Sequence, residues 1–173
     1  MTTKKYENPL MPLLYDGLHD IYSCEKLLVK FTKELAAAAL TKELKSGIAL
    51  SPTDNPSMHI ERLQLIFKIL NLKHVKQDCK ISKAIIENAY DVIKIKKSVT
   101  ATRDVSIVLA AQMIQHYKIA CYQYLYSLST ELDLKEVSML LEQCLADEKN
   151  TSGYLTQIAQ NIINPLAKKE VIH

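Results

Sequence analysis

The chain has 173 residues, 48 % of them hydrophobic and 24 % charged, a length that suits one domain with a sizeable core and a composition that excludes intrinsic disorder. With 22 basic and 19 acidic residues the net charge is +3, too mild for a nucleic-acid-binding or membrane-surface protein. Only 3 glycines and no tryptophan exclude a fold of many tight turns and any phosphate-cradling glycine loop, and favour long helices with short connections.

Along the chain, Leu14, Leu18, Ile21, Glu25, Leu28, Thr32 and Leu35 recur in alternating steps of four and three. This stripe predicts a helix over 10–38 that packs in a bundle. Thr41 can cap a second helix that begins at Lys42. That helix should break within Ser51-Pro52-Thr53-Asp54-Asn55-Pro56, because proline lacks a donor and disfavours helical geometry in the residue before it. Asp54 or Asn55 can cap the continuation, where His59, Ile60, Leu63, Ile66, Phe67 and Leu70 share a face. A linker at Asn71–His74 leads to a shorter amphipathic helix from Gln77 to Lys94, with Ile81, Ala84, Ile85, Ala89 and Val92 as its apolar side. The basic run Lys94-Ile95-Lys96-Lys97 reads as a solvated helix end. Thr102 or Asp104 starts the next long helix, with Val108, Gln112, Gln115, Ile119, Tyr122 and Tyr126 as its stripe. Asp133 caps the last, with a stripe of Val137, Leu141, Cys144, Glu148, Thr151, Leu155, Ile158 and Ile162.

The expected fold is therefore all-α: an antiparallel four-helix bundle with one additional short helix. It forms a single domain over 1–173 with its core at about 10–163. The opening residues hold no apolar h-region, and no apolar run approaches the ~18 residues of a bilayer span. Cys24, Cys79, Cys121 and Cys144 lie far apart and form no CxxC, so they read as reduced, mostly buried thiols of a cytoplasmic protein.

Polar side chains inside the apolar stripes are the candidates for chemistry, since a bundle core excludes unpaired charge. Glu25 and Glu148 fall in mid-helix and can meet at one depth. His59 sits near the edge of its stripe, Gln112 and Gln115 within theirs, and His116 and Lys118 beside them. The expected central polar cluster is Glu25, Gln112, Gln115, Lys118 and Glu148, and the candidate metal ligands are Glu25, His59, His116 and Glu148. A di-iron or di-manganese bundle places a Glu on each of two helices and a Glu-x-x-His on each of the other two. No Glu-x-x-His or Asp-x-x-His occurs on a long helix here. His19 reads as exposed, His74 falls in a linker, and the tyrosines Tyr117, Tyr122, Tyr124 and Tyr126 read as packing. No serine, histidine and acid constellation suggests a nucleophile.

The run Asp16-Gly17-Leu18-His19-Asp20-Ile21-Tyr22-Ser23-Cys24-Glu25-Lys26-Leu27-Leu28 resembles the opening helix of the YciE/YciF family of bacterial ferritin-like proteins, D-x-L-x-D-I-Y-x-A-E-K-x-L. Ile60-Glu61-Arg62-Leu63 resembles the family's I-E-R-L, and Cys79 opens the short helix as in the family. Ala110-Ala111-Gln112 with His116-Tyr117, Ile119-Ala120 and Tyr122 resembles A-A-Q-x-x-E-H-Y-E-I-A-x-Y, and Glu148-Lys149 with Thr151 resembles E-E-K-x-T-D. The similarity runs from about Leu10 to Ala159.

The resemblance implies a ferritin-like bundle, in a family described as ferroxidase-like. This chain departs from the family at the ligands. It carries Asp54-Asn55-Pro56 for E-E-T, Gln115 and Lys118 for the glutamates around H-Y, and Asp147-Glu148-Lys149-Asn150-Thr151-Ser152 for E-E-K-x-T-D. Lysine repels a cation, and two divalent ions need several carboxylates. The reading is a ferritin-like protein without a complete di-metal site and without a resident cofactor, leaning away from an enzyme, with a stress-associated or structural role. It is expected as a homodimer that binds neither nucleic acid nor membrane. The alternatives are a dinuclear iron or manganese oxidase using Glu25, Glu148, His116 and Asp54 or His59, and a homodimeric helical interaction module. On the main reading, Lys118 or the amide of Gln115 approaches Glu25 or Glu148 where a metal would otherwise sit.

Overall fold

The computed structural model describes residues 8–49, 56–75, 77–95 and 100–170, and all regular structure among them is helical. In chain order the elements are α1 (Leu10–Ala38), α2 (Lys42–Ala49), α3 (Pro56–Ile69), α4 (Lys80–Ile95), α5 (Ala101–Glu131), α6 (Lys135–Ile158), a π-helical turn (Ala159–Ile163) and α7 (Asn164–Lys168). The chain is all-α. α1 covers the residues its four-and-three period predicts. Residues 50–55, where the sequence places a helix break and the cap Asp54 or Asn55, lie outside the described residues.

Local chemistry explains where most helices begin and end. Thr41 caps α2 as its side-chain position predicts, with Oγ1 accepting the Leu44 N–H at 3.4 Å. The corner between α1 and α2 is clamped from a distance in sequence. Asp104, fully buried in the first turn of α5, accepts the N–H of Leu40 at 2.7 Å and of Thr41 at 2.8 Å. Its neighbour Arg103 donates to the carbonyl of Ala38. Asp104 is thus not the cap of its own helix; that cap is Thr100, whose side chain accepts the Arg103 N–H at 3.1 Å.

Two helices end on left-handed residues that are not glycine, Asn71 at φ 50° and Asp133 at φ 56°. In each case the next N–H reaches back five residues, Leu72 to Phe67 at 2.8 Å and Leu134 to Ser129 at 2.9 Å, and closes the helix end. Asp133 therefore terminates α5 rather than capping α6. These two turns show how a chain with 3 glycines still makes tight reversals, since Asn and Asp tolerate this conformation. Near the C-terminus Pro165 cannot donate to an i−4 carbonyl, and the helix widens into the π turn just before it.

Paired contacts set the directions of the long helices. Glu25 faces His59 and Tyr22 faces Gln64, so α1 and α3 run antiparallel. Ser129 meets Ser138 while Gln112 meets Ser152, so α5 and α6 do too. Ala38 lies by Arg103 and Glu25 by Tyr122, which makes α1 and α5 antiparallel. His59 lies by Glu148 and Arg62 by Cys144, which does the same for α3 and α6. At Gly17 the Leu125 side chain of α5 packs against α1, so that a Cβ would sit 2.8 Å from Leu125 Cδ2.

Burial revises two helix faces. On α4, Ile81 is 60 % exposed and Ala84 is exposed, whereas Ser82, Ile86 and Ala89 are buried. On α5 the buried line is Ile107, Ala111, Ile114, Lys118, Tyr122, Leu125 and Ser129, with Gln112, Gln115, Ile119 and Tyr126 only half-buried beside it. The core face is thus rotated by about one residue from the expected stripe, and Lys118 lies in it.

Because Asp104 satisfies two backbone donors at a corner far along the chain, Asp104→Ala should lower stability by about 2–3 kcal/mol in urea unfolding. A loss below about 0.5 kcal/mol, the usual range of a surface change, would show that the corner does not depend on it.

Candidate functional site

Four helices each bring charge to one point in the core. α1 supplies Glu25, α3 His59, α5 Lys118 and α6 Glu148. Glu25, His59 and Glu148 are fully buried and Lys118 is 3 % exposed. Each lies on the core line of its helix, so ordinary helical periodicity aims it inward.

The Lys118 ammonium sits between the two carboxylates. Nζ lies 3.1 Å from Glu25 Oε1 and in direct contact with Glu148 Oε1. His59 bridges the same pair, with Nδ1 3.1 Å from Glu25 Oε1 and 3.0 Å from Glu148 Oε1. Tyr122, fully buried, donates its hydroxyl to Glu25 Oε1 at 2.7 Å and meets the His59 ring edge-on at 5.6 Å. At the rim, Asp147 Oδ2 lies 3.5 Å from His59 Nε2 and accepts from Arg62 at 2.6 Å.

Electrostatics follow from this packing. Burial by itself would raise the Glu25 pKa, but the Lys118 charge and the His59 and Tyr122 bonds outweigh it and bring it down to about 2. Burial would likewise discharge His59, yet its bonds to Glu148 and Glu25 raise it from 6.5 to about 9. Burial, with Glu25 beside it, pushes the Tyr122 phenol well above its usual range and keeps it a donor. Two carboxylates, one ammonium and one imidazolium then sum to zero charge. An ion cluster in a dry core is tolerable only when its charges cancel within hydrogen-bond reach.

Glu25, His59 and Glu148 each offer a ligand atom within 4.8 Å of the others, the geometry of a possible metal triad. Among the described residues, Glu25 Oε2 and Glu148 Oε2 are buried and accept no hydrogen bond. The other expected site residues lie elsewhere. His116 is exposed; it is two residues from Lys118, about 200° around the helix, so both cannot face the core. Gln112 joins α5 to α6 through the Ser152 carbonyl at 3.0 Å and Thr156 Oγ1 at 2.9 Å, away from the carboxylates. Gln115 borders a cavity of about 30 Å³ with Lys118, and its Oε1 is buried without a hydrogen bond. It is Lys118, not the Gln115 amide, that reaches the carboxylates. Asp54 is outside the described residues. His19 is 8 % exposed, not on the surface, and stacks on Phe67 with centroids 5.0 Å apart. Arg62 was not foreseen, although it lies three residues from His59 and so on the same side of α3.

The family described as "Domain of unknown function (DUF892)" matches residues 10–168. The chain belongs to this family. Protein YciF of Escherichia coli strain K12 is 32 % identical over 154 residues, 88 % of this chain and 92 % of that protein. The crystal structure of the E. coli stress protein YciF aligns with a TM-score of 0.84 at 30 % identity, covering 91 % of this chain and 98 % of that one. The structure of YcfI from Rhodopseudomonas palustris aligns at 0.78 with 27 % identity, covering 88 % and 96 %. The YciE/YciF resemblance read over about Leu10 to Ala159 is thus matched by family membership and by shape over nearly the whole chain.

The cluster makes stability depend on pH in a fixed direction. His59 has a raised pKa, so its contribution is complete below 6.5 and is lost as pH rises through about 9. Glu25 has a lowered pKa, so its contribution is complete above 4.5 and is lost as pH falls towards about 2. The stability gap between the native chain and His59→Gln, from denaturant unfolding, should be widest near pH 6 and narrow steadily up to pH 10. A gap that widens above pH 9 would contradict a charged His59.

Proposed function

We propose that this chain is a ferritin-like antiparallel four-helix bundle of the YciE/YciF type whose centre is closed by the Lys118 ammonium instead of a di-metal pair. Its role on this reading is stress-associated and structural rather than catalytic. The observation that carries the reading is the position of Lys118 Nζ, in contact with both Glu25 and Glu148. A cation held by those carboxylates would occupy the space of the ammonium and would meet its repulsion at about 3 Å.

The remaining donor set supports the same reading. The cluster offers two glutamates and one histidine, and a dinuclear centre needs more anionic oxygen than that. His59 in its protonated form has no free lone pair to give a metal. The residues present do not fit a di-iron or di-manganese pair. The antiparallel contacts among α1, α3, α5 and α6 support the bundle, and family membership supports carrying the ferritin-like description over. The stress role rests on the name given to the E. coli relative.

Homodimerisation is part of the proposal. Val105, Leu109 and Met113 are 37 %, 62 % and 39 % exposed at four-residue steps on α5, an apolar line a second copy would cover. No helix among the described residues is long and apolar enough to cross a membrane.

Metal analysis tests the reading. Protein purified without chelator should carry iron and manganese far below one ion per chain. Gln115→Glu together with Lys118→Glu should raise manganese affinity by at least about tenfold, roughly 1.4 kcal/mol. A stoichiometric metal pair in the native chain would favour the oxidase instead. Lys118→Ala should cost about 3–5 kcal/mol of stability, because it strands buried carboxylates.

A further inference from the structure

A second polar cluster lies outside the ion centre, on the face of α1 that carries the linker between α3 and α4 (70–79). His19 and Ser23 are four positions apart on α1, one turn and about 6 Å along the same face. Two residues of extended chain cover about the same distance. The Val75 N–H donates to His19 Nδ1 at 3.2 Å, and the Gln77 N–H donates to Ser23 Oγ at 3.2 Å. Rings fill the seam beside these bonds. His19 stacks on Phe67 of α3 with centroids 5.0 Å apart and faces His74 of the linker at 6.0 Å. His74 in turn packs 4.2 Å from the Tyr22 ring. A cleft of about 850 Å³ is bordered by Ser23, Lys26 and Leu27 of α1 and by His74, Gln77 and Asp78 of the linker. Lys73, His74 and Val75 are exposed. The linker therefore hangs from α1 at a few points rather than packing on it along its length.

We propose that His19 is an acid-sensitive latch: protonation of its ring releases the α3–α4 linker from α1 while the ion cluster at the bundle centre stays closed. A backbone N–H can donate to Nδ1 only when that nitrogen carries no proton, so the docked ring is neutral with its proton on Nε2. A proton added at Nδ1 sets two donors face to face and removes the Val75 bond. An imidazolium there also places a charge in a site only 8 % exposed, beside a second histidine. The Ser23 hydroxyl does not titrate, so acid acts on one of the two side-chain anchors and leaves the other.

On balance the surroundings disfavour a charged His19. Burial and the neighbouring His74 hold its pKa below the usual 6.5, against the opposing pull of Asp16 on α1. Burial and Lys26 of α1 lower that of His74. From α3 the uncharged Phe67 ring faces His19, and from α1 the Tyr22 ring faces His74. Because the docked state favours the neutral ring, the latch is complete above 6.5 and is lost as pH falls through the lowered His19 pKa. The ion cluster does not weaken over the same window. The His59 contribution is complete below 6.5, and that of Glu25 is complete above 4.5. Between those two values the linker lets go without the bundle opening.

Amide hydrogen exchange of the full chain, followed by NMR and corrected for the intrinsic pH dependence of exchange, tests the latch. Between pH 7.5 and pH 5 the protection of the Val75 and Gln77 amides should fall by at least about fivefold, as the loss of one neutral hydrogen bond requires. Protection of the Tyr122 amide, beside the ion cluster, should not change. Nitrogen-15 spectra of the His19 ring at pH 7.5 should show the proton on Nε2 and none on Nδ1. In His19→Asn, checked for native helicity, the side chain does not titrate and the pH dependence at Val75 and Gln77 should disappear. Four results would overturn the proposal: a proton on Nδ1 at pH 7.5, linker protection that is constant from pH 7.5 to 5, a parallel loss at Tyr122, or a pH dependence that survives in His19→Asn. The native-chain measurements decide it even if the variant fails to fold.

Discussion

A lysine ammonium held between two buried glutamates is the contact on which the centre of this molecule depends. Glu25 on α1 and Glu148 on α6 would each be intolerable in an apolar core alone. Lys118 on α5 touches both, and His59 on α3 bridges the same two oxygens. Every one of the four helices thus contributes a charge that only the other three can neutralise. Such a cluster adds little net stability over an apolar core of equal volume, but it makes any shift in helix register costly.

That constraint explains other features. At Gly17 the Leu125 side chain of α5 packs directly on α1 and would have to shift to admit a Cβ, and at the opposite end of α1 the Arg103–Asp104 pair fastens the α1–α2 corner to α5. The two contacts fix α1 against α5 on either side of the cluster. Arg62 and Asp147 form a second, partly exposed ion pair between α3 and α6 at its edge. Its partial exposure makes it worth less energetically than the buried contacts, but it places a carboxylate near His59 Nε2 that favours the charged ring.

The sequence made α1, α3 and α6 readable because each carries one apolar face with a clear helical period. Glu25, His59 and Glu148 stand out as polar residues on those faces. α5 was harder to phase. Val105, Leu109 and Met113 are exposed while Ala110 and Ala111 are buried, so apolar residues surround this helix and no single stripe is defined. Lys118 then reads as a flank and Gln112 and Gln115 as core, an error of about one residue that also drew in His116. α4 failed for a related reason: its buried face includes Cys79 and Ser82, which a hydrophobic pattern passes over in favour of the exposed Ile81. The Asp104 corner is equally illegible, because a carboxylate in a first helical turn ordinarily caps its own helix.

The central claim concerns where one nitrogen sits. A crystal structure of the native chain grown in excess manganese(II), with data collected for anomalous scattering at the manganese edge, tests it directly. The account predicts no anomalous peak between Glu25 and Glu148, and density for Lys118 Nζ within hydrogen-bond distance of both carboxylates. A manganese peak on those carboxylates, with the Lys118 side chain turned away from them, would contradict it.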